Sequence, residues 1–376
     1  MFGSKKISFA IKVVIITLLA TSILTACNKS IEPEPRRDSS PLTCRKPQYL
    51  KAGDKVALIS PSYYTPMENV NKAADVLRSW GLEPVIGPNV GNIYEKKYAG
   101  TTDERFSDIH WALSDPTIKA ILCNRGGYGT IQLIDKLSLR EIGRSEKWII
   151  GFSDICTLHG AWQNSGIMSI HGTMSSFLAQ GGTDATSTLV RDILMGRYPK
   201  YEIPAHPQNI EGIGQGTLVG GNLCTIAPNV GSLADATQHE GIILFLEEVG
   251  ESMRNIDRQF NILALNGVLN HCNGIILGEF SDCGTEFDYK SIEEMLRSYI
   301  LHYNIPLLCG FPAGHDDVNL PLIMGAKTTM TVRPTGSTIE FSLDGEQQTV
   351  NTADIPTLKR GENNIERNMR LAGKIN

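Results

Sequence analysis

Apolar and polar positions along the first half of the chain alternate between a two-residue and a helical period. Lys55-Val-Ala-Leu-Ile-Ser60 is a short apolar run ending in a Ser-Pro-Ser turn. Residues 69–80 then carry apolar side chains at helical spacing and close on Gly81, the residue type that most readily caps a helix C-terminus. The same sequence of signals recurs with a strand over 82–86, a helix over 103–114 and a strand over 118–123 that enters a glycine-rich turn. A fourth strand over 148–152 is followed at once by a helix over 154–163. Strands that alternate with helices predict an α/β fold with a parallel sheet, helices on its faces and a working edge at the carboxyl ends of its strands.

Residues 181–207 hold three glycines, three prolines and a polar cluster, which predicts a linker over 181–212 between a domain at 45–180 and another at 213–356. The second half changes character. Short apolar strands are predicted over 241–247 and 274–278, helices over 258–269 and 291–303, and a hairpin-rich β region over 328–333, 338–343 and 347–351, so this domain is expected to be β-rich. The tail at 357–376 is polar and charged and is left without structure.

The N-terminus stands apart from the fold. Lys5, Lys6 and Lys12 precede an apolar run over 13–24, too short for a comfortable membrane span of about 20 residues, and small residues follow at Thr25 and Ala26. Leu24-Thr25-Ala26-Cys27 resembles a bacterial lipobox, in which the cysteine is acylated and becomes the new N-terminus. Residues 1–26 are therefore expected to be a signal peptide, Cys27 the lipidation site and 27–44 a flexible tether, placing the protein in the cell envelope on a lipid anchor. Losing three lysines and no acid takes the formal net charge from −5 to −8, the wrong sign for a nucleic-acid partner. Two domains are the natural division of about 350 mature residues. None of the eight cysteines forms a C-x-x-C pair or a zinc-spaced His/Cys cluster, so no metal is expected; a Cys272 to Cys283 disulfide stays open, as does a homodimer.

Three residues carry candidate chemistry. Ser153 lies in Trp148-Ile-Ile-Gly-Phe-Ser153-Asp154, where a strand gives way to a helix, a place that exposes a hydroxyl beside backbone N–H groups and the positive end of a helix dipole. Such a serine is most often only a helix cap, and the spacing fails the G-x-S-x-G elbow. Asn124-Arg-Gly-Gly-Tyr-Gly129 follows the third strand and reads equally as a tight turn. Glu247 and its neighbour Glu248 end one strand, and His315 follows another in Gly310-Phe-Pro-Ala-Gly-His315. A serine, an acid and a histidine at strand ends form the set an activated hydroxyl requires, because the histidine takes the proton and the acid fixes its tautomer.

Lys51-Ala-Gly-Asp-Lys-Val-Ala-Leu-Ile-Ser-Pro-Ser62, Arg125-Gly-Gly-Tyr-Gly129, Gly151-Phe-Ser-Asp-Ile155, His171-Gly172, Gly220-Gly-Asn-Leu223, Leu246-Glu-Glu-Val249 with Ile256-Asp-Arg258, and Gly310-Phe-Pro-Ala-Gly-His315 together resemble the LD-carboxypeptidase family, which includes the microcin C immunity peptidases. The resemblance covers about 50–350. It implies an N-terminal flavodoxin-like domain carrying the nucleophile Ser153, a C-terminal β-rich domain carrying the triad acid Glu247 and the general base His315, and an oxyanion hole from the amides of Gly127 and Asp154. The implied reaction removes a terminal D-amino acid from a muropeptide without a cofactor. A peptide-nucleotide antibiotic as substrate and a noncatalytic wall-peptide-binding lipoprotein are the alternatives. Arg254 is a candidate for holding a substrate carboxylate. Cys156 and Asn229-Val-Gly-Ser232 depart from the family pattern, and so does the export signal, since well-known members act in the cytoplasm. Replacing Glu248 is expected to be mild, because strand alternation turns it away from Glu247.

Overall fold

The computed structural model describes residues 40–284 and 286–355. The expected signal peptide, Cys27 and the polar tail lie outside the described residues. Five strands, β1 (Lys55–Ile59), β2 (Glu83–Ile86), β3 (Ile118–Cys123), β4 (Trp148–Gly151) and β5 (Ser169–His171), run parallel in the order β2-β1-β3-β4-β5. This is the flavodoxin-like order, with its switch point between β1 and β3. Alternation along the strands divides the core into two layers. Ala57, Ile59, Ile121, Cys123 and Ile149 face the helices Thr102–Ser114 and Cys156–Asn164, while Val56, Leu58, Leu122, Trp148 and Ile150 face a second core that continues into the other half of the chain. Near-continuous apolar runs are what strands buried on both faces require. The helix Thr102–Ser114 starts where the sequence reading puts it because Thr101 and Glu104 close a capping box.

The second sheet comprises β6 (Arg197–Ile203), β7 (Gly212–Asn222), β8 (Ile242–Val249), β9 (Cys272–Ser281) and β10 (Leu307–Leu308), then, beyond β11 (Leu322–Met324), β12 (Lys327–Arg333), β13 (Gly336–Phe341) and β14 (Glu346–Asn351). Its order is β10-β9-β8-β7-β12-β13-β6-β14. Strands β7 to β10 run parallel, with the helices Met253–Leu265 and Ile292–Ile300 in their connections, and the antiparallel β12–β13 hairpin continues the sheet from β7. β11 leaves this half and pairs antiparallel with β5, so the second half of the chain completes the first sheet.

Three expectations change. The supposed linker at 181–212 contains the helix Ala185–Leu194, which buries Leu189, Val190, Ile193 and Leu194, and the whole of β6. Pro199 is tolerated there because β13 pairs only with residues 201–203 of β6, leaving the proline no neighbour on that side. The tether expected over 27–44 does not extend to its predicted end: Leu42 and Cys44 are buried, the Leu42 carbonyl accepts from Thr217 Oγ1 at 2.8 Å, and Pro41 bridges Glu240. Finally, Cys272 and Cys283 are both free thiols. Cys272 opens β9 and Cys283 lies two residues past its last, so a strand rising about 3.3 Å per residue holds them far beyond disulfide reach.

Candidate active site

The carboxyl ends of β1, β3 and β4 converge on Ser153. The chain leaves β4 at Gly151, and Ser153 adopts φ +64°, a left-handed conformation that side-chain-bearing residues rarely take. The turn is therefore a strained strand-to-helix elbow although its sequence lacks the usual glycine pattern. Asp154 holds the turn in place. Its carboxylate accepts from Ser62 Oγ at 2.7 Å and from the Thr130 amide at 2.9 Å, and its carbonyl accepts from Thr130 Oγ1 at 2.6 Å. Arg105, buried below, donates to the carbonyls of Pro61 and Gly129, both at 2.9 Å. The loops after β1, β3 and β4 are thus locked together through one carboxylate and one guanidinium.

The glycine pair after β3 is there for close approach. A Cβ on Gly126 would stand 3.0 Å from Ser153 Cβ and 3.2 Å from its Oγ, and one on Gly127, at φ +118°, would collide with the Tyr63 ring. Backbone alone can therefore border the serine on this side. The residue this places against Ser153 and the Asp154 amide is Gly126; the expected oxyanion-hole residue Gly127 is its neighbour in the chain and packs on Tyr63.

His315 arrives from the loop after β10. Its Nε2 lies 3.0 Å from Ser153 Oγ and its Nδ1 2.8 Å from Glu247 Oε2. With the proton on Nδ1, the ring donates to Glu247 and accepts from the serine hydroxyl. Phe152 meets the ring edge-on at 5.0 Å between centroids. Glu247 is fully buried at the end of β8, where the register against β9 is irregular. Gly314 has no room for a side chain, since a Cβ would stand 3.2 Å from Glu247 Oε2 and 3.1 Å from Glu279 Cβ.

Burial draws the His315 pKa down, but the hydrogen bond and charge of Glu247, with further charge from Glu248 and Asp316, outweigh it and leave the imidazole above its ordinary value. Glu247 is itself pushed up, by burial first, against the opposing pull of His315. The serine, histidine and acid named from the sequence are therefore brought together in hydrogen-bonding order. The neighbouring Glu248 has a different set of partners. It accepts from Asn222 Nδ2 at 2.8 Å, the Cys224 amide at 2.7 Å and its own neighbour Val249's amide at 2.9 Å.

Arg254 is exposed and ion-paired with Glu286 at 2.6 Å. Cys156, the departure from the family pattern, is buried behind the serine and accepts from the Asn222 amide at 3.3 Å; a side chain on Gly221 would strike its sulfur. The sequence alone assigns no role to Tyr63, Phe152, Glu279 or Asp316. Only the aromatic flanks of the motifs signalled the first two, and nothing local marked the acids.

Two family descriptions match the chain: the LD-carboxypeptidase N-terminal domain over residues 56–172 and the LD-carboxypeptidase C-terminal domain over 215–330. A murein tetrapeptide carboxypeptidase of Pseudomonas aeruginosa is 31% identical over 278 residues, covering 70% of this chain and 89% of its own length. Among solved structures, muramoyltetrapeptide carboxypeptidase from Oxalobacter formigenes superposes with a TM-score of 0.70 at 25% identity, over 77% of this chain and 99% of the other. The microcin C7 self-immunity protein in its wild-type apo state shares the fold with a TM-score of 0.67 at 22% identity, over 81% and 99%.

Proposed function

The chain belongs to the LD-carboxypeptidase family, and from that premise we propose that it is a serine carboxypeptidase of peptidoglycan metabolism, with Ser153, His315 and Glu247 as its triad, cleaving the L,D bond before a terminal D-amino acid of a murein tetrapeptide. The observation that carries the residue assignment is the continuous relay from Ser153 Oγ through His315 to buried Glu247. In this reading the hydroxyl oxygen attacks the scissile carbonyl as its proton passes to His315 Nε2. The resulting oxyanion lies against the amides of Gly127 and Asp154, assisted by the N-terminal end of the helical segment that follows Ser153. The imidazolium then protonates the departing amine and the D-amino acid leaves. Water enters, gives its proton to His315 and its oxygen to the acyl group, and the serine is restored. Glu247 does not exchange protons with substrate; it holds the tautomer and stabilises the imidazolium.

Mass spectrometry of muropeptides incubated with the purified protein tests the reaction directly. The expected product is a tripeptide lighter by one D-alanine. Turnover of a microcin-like peptide nucleotide with none of the tetrapeptide would transfer the activity to the other substrate class, and binding without turnover would make the protein a receptor.

The raised His315 pKa carries a sign. The base must be neutral, so kcat/KM is expected to rise with pH through a midpoint above the ordinary imidazole value of 6.5. Glu247→Gln removes the main partner holding the proton on the ring, so its residual activity should rise through a lower midpoint. A midpoint unmoved by that substitution would exclude Glu247 as the ring's partner in solution.

We propose further that export ends in acylation of Cys27, supported by the Leu24-Thr25-Ala26-Cys27 sequence. Cys27→Ser should abolish lipid labelling and membrane partitioning. Unchanged labelling in that variant would remove the anchor from the reading.

A further inference from the structure

A cluster of tyrosines beside the serine loop has no part in the chemistry above. Tyr63, from the loop after β1, lies so close to Gly127 that a Cβ there would meet its ring. Tyr98 packs edge-on to Tyr63 with 5.7 Å between centroids, and Tyr128, the residue after Gly127, lies 6.4 Å from Tyr98. The frame under these rings is tied down. Tyr63 and Tyr94 each form a bridge with Tyr98, the Tyr64 amide donates to the Lys97 carbonyl at 2.7 Å, and the buried Arg105 guanidinium lies 5.2 Å from the Tyr98 ring. Among the described residues, eight large apolar or aromatic side chains stand exposed. Four of them, Ile93, Tyr94, Tyr128 and Phe177, sit on loops that follow β2, β3 and β5 at the carboxyl edge of the first sheet, the edge that carries Ser153. Exposed rings gathered at one edge mark a binding surface. The hydroxyls of Tyr63, Tyr94, Tyr98 and Tyr128 hydrogen-bond to no other described residue. Lys97 and Arg125 are exposed and form no ion pair among the described residues, and the Lys97 ammonium stands 5.8 Å from the Tyr63 ring.

We propose that this tyrosine cluster is a subsite for the sugar of a muropeptide, so that the enzyme takes wall fragments whose stem is still joined to N-acetylmuramic acid in preference to the free tetrapeptide. The proposal rests on the reading of the chain as a murein tetrapeptide carboxypeptidase. A pyranose offers C–H faces that pack on aromatic rings, and hydroxyl and acetamido groups that free phenols can bond. Three stem residues separate the sugar from the scissile carbonyl, and at about 3.5 Å each they put it roughly 10 Å away. The cluster has the same order of length: it begins with Tyr63 against Gly127 and continues in steps of 5.7 and 6.4 Å to Tyr98 and Tyr128. Lys97 and Arg125 complement the free carboxylates along the stem.

The test measures kcat/KM for N-acetylmuramoyl-tetrapeptide and for the free tetrapeptide, using full-length wild type, Tyr128→Ala, Tyr128→Phe, the double variant Tyr94→Ala with Tyr128→Ala, and Leu265→Ala. Wild type is expected to favour the sugar-linked substrate by at least about tenfold, chiefly through KM. The ratio between the two substrates cancels any general harm a substitution does to the catalytic groups. Tyr128→Ala should cut that ratio by about fivefold, the double variant should bring it near one, and Tyr128→Phe should keep most of it because the ring remains. Leu265→Ala, exposed at the end of the helix Met253–Leu265, should leave it whole. A wild-type ratio near one, or a ratio that the double variant leaves unmoved, would overturn the subsite. So would a peptide nucleotide that wild type prefers to the sugar-linked tetrapeptide and that the double variant handles poorly, since the rings would then hold a nucleobase. A second measurement needs no turnover: N-acetylmuramoyl dipeptide has no scissile bond and should bind wild type at least about tenfold more tightly than the same dipeptide without the sugar, a difference the double variant loses. Equal affinities overturn the subsite whatever the activity. Unequal affinities with no release of D-alanine from either tetrapeptide would keep the subsite and overturn the assigned reaction.

Discussion

Ser153→Ala and His315→Ala are each expected to lower kcat for D-alanine release by roughly 10⁴ to 10⁶, and the double variant should be little worse than either. The reasoning lies in the geometry. At 3.0 Å, Ser153 Oγ has one acceptor for its proton, His315 Nε2, so removing either partner leaves the other unable to contribute. What survives is substrate binding and the electrostatic effect of the amides near Ser153, which accounts for residual rates above the uncatalysed reaction. KM should move little, since neither side chain is asked to bind the ground state. Ser153 holds a left-handed conformation that alanine also tolerates poorly, so a thermal melt within a few degrees of wild type is the necessary control. Additive losses in the double variant would mean that the two residues act separately and that the relay is not functional.

How much of this could be read from the chain follows from which contacts are local. The strands β1, β3 and β4 and the helix Thr102–Ser114 are legible because apolar runs, a capping box and glycine stops lie within a few residues of one another. The helix Ala185–Leu194 is missed for the opposite reason. Its apolar positions are present, but the glycines before it and the prolines after it dominate the local signal, and only packing against the body reveals it. The pairing of β7 with β12, which sets Thr217 opposite Lys327, and of β11 with β5, which sets His171 opposite Leu322, joins residues more than 100 positions apart. The same division holds at the site. Ser153, Glu247 and His315 stand in recognisable segments, whereas the bond from the Glu279 amide to the Ala313 carbonyl joins a strand to the histidine loop with nothing in either segment to announce the other. Arg254 illustrates a cation whose role cannot be decided until its partner, Glu286, is seen.

The adjacent carboxylates Glu247 and Glu248 should separate chemistry from stability, because strand alternation gives them different partners. Glu247→Gln keeps volume but offers an amide in place of the charge that orients His315 Nδ1–H and stabilises the imidazolium. It is expected to lower kcat by about 10³ to 10⁴ while the protein stays folded. Glu248→Ala should be mild for turnover because the side chain points away from the chemistry, but not for stability. The structure shows a buried carboxylate accepting from Asn222 Nδ2 and from the amides of Cys224 and Val249, tying the end of β7 and the turn Leu223–Ile226 to β8. Alanine leaves these buried donors without their acceptor, at a cost on the order of 3 to 5 kcal/mol. For a chain of this size that corresponds to a melting temperature lower by roughly 4 to 7 °C. Glu248→Gln restores one acceptor and should recover part of the loss. Activity per folded molecule at low temperature should fall far less in Glu248→Ala than in Glu247→Gln, because His315 keeps its own carboxylate. Paired measurements of melting temperature and kcat decide the matter: a Glu248→Ala protein as stable as wild type would mean the three donors find water instead, and a kcat loss matching that of Glu247→Gln would mean the two acids share the imidazole.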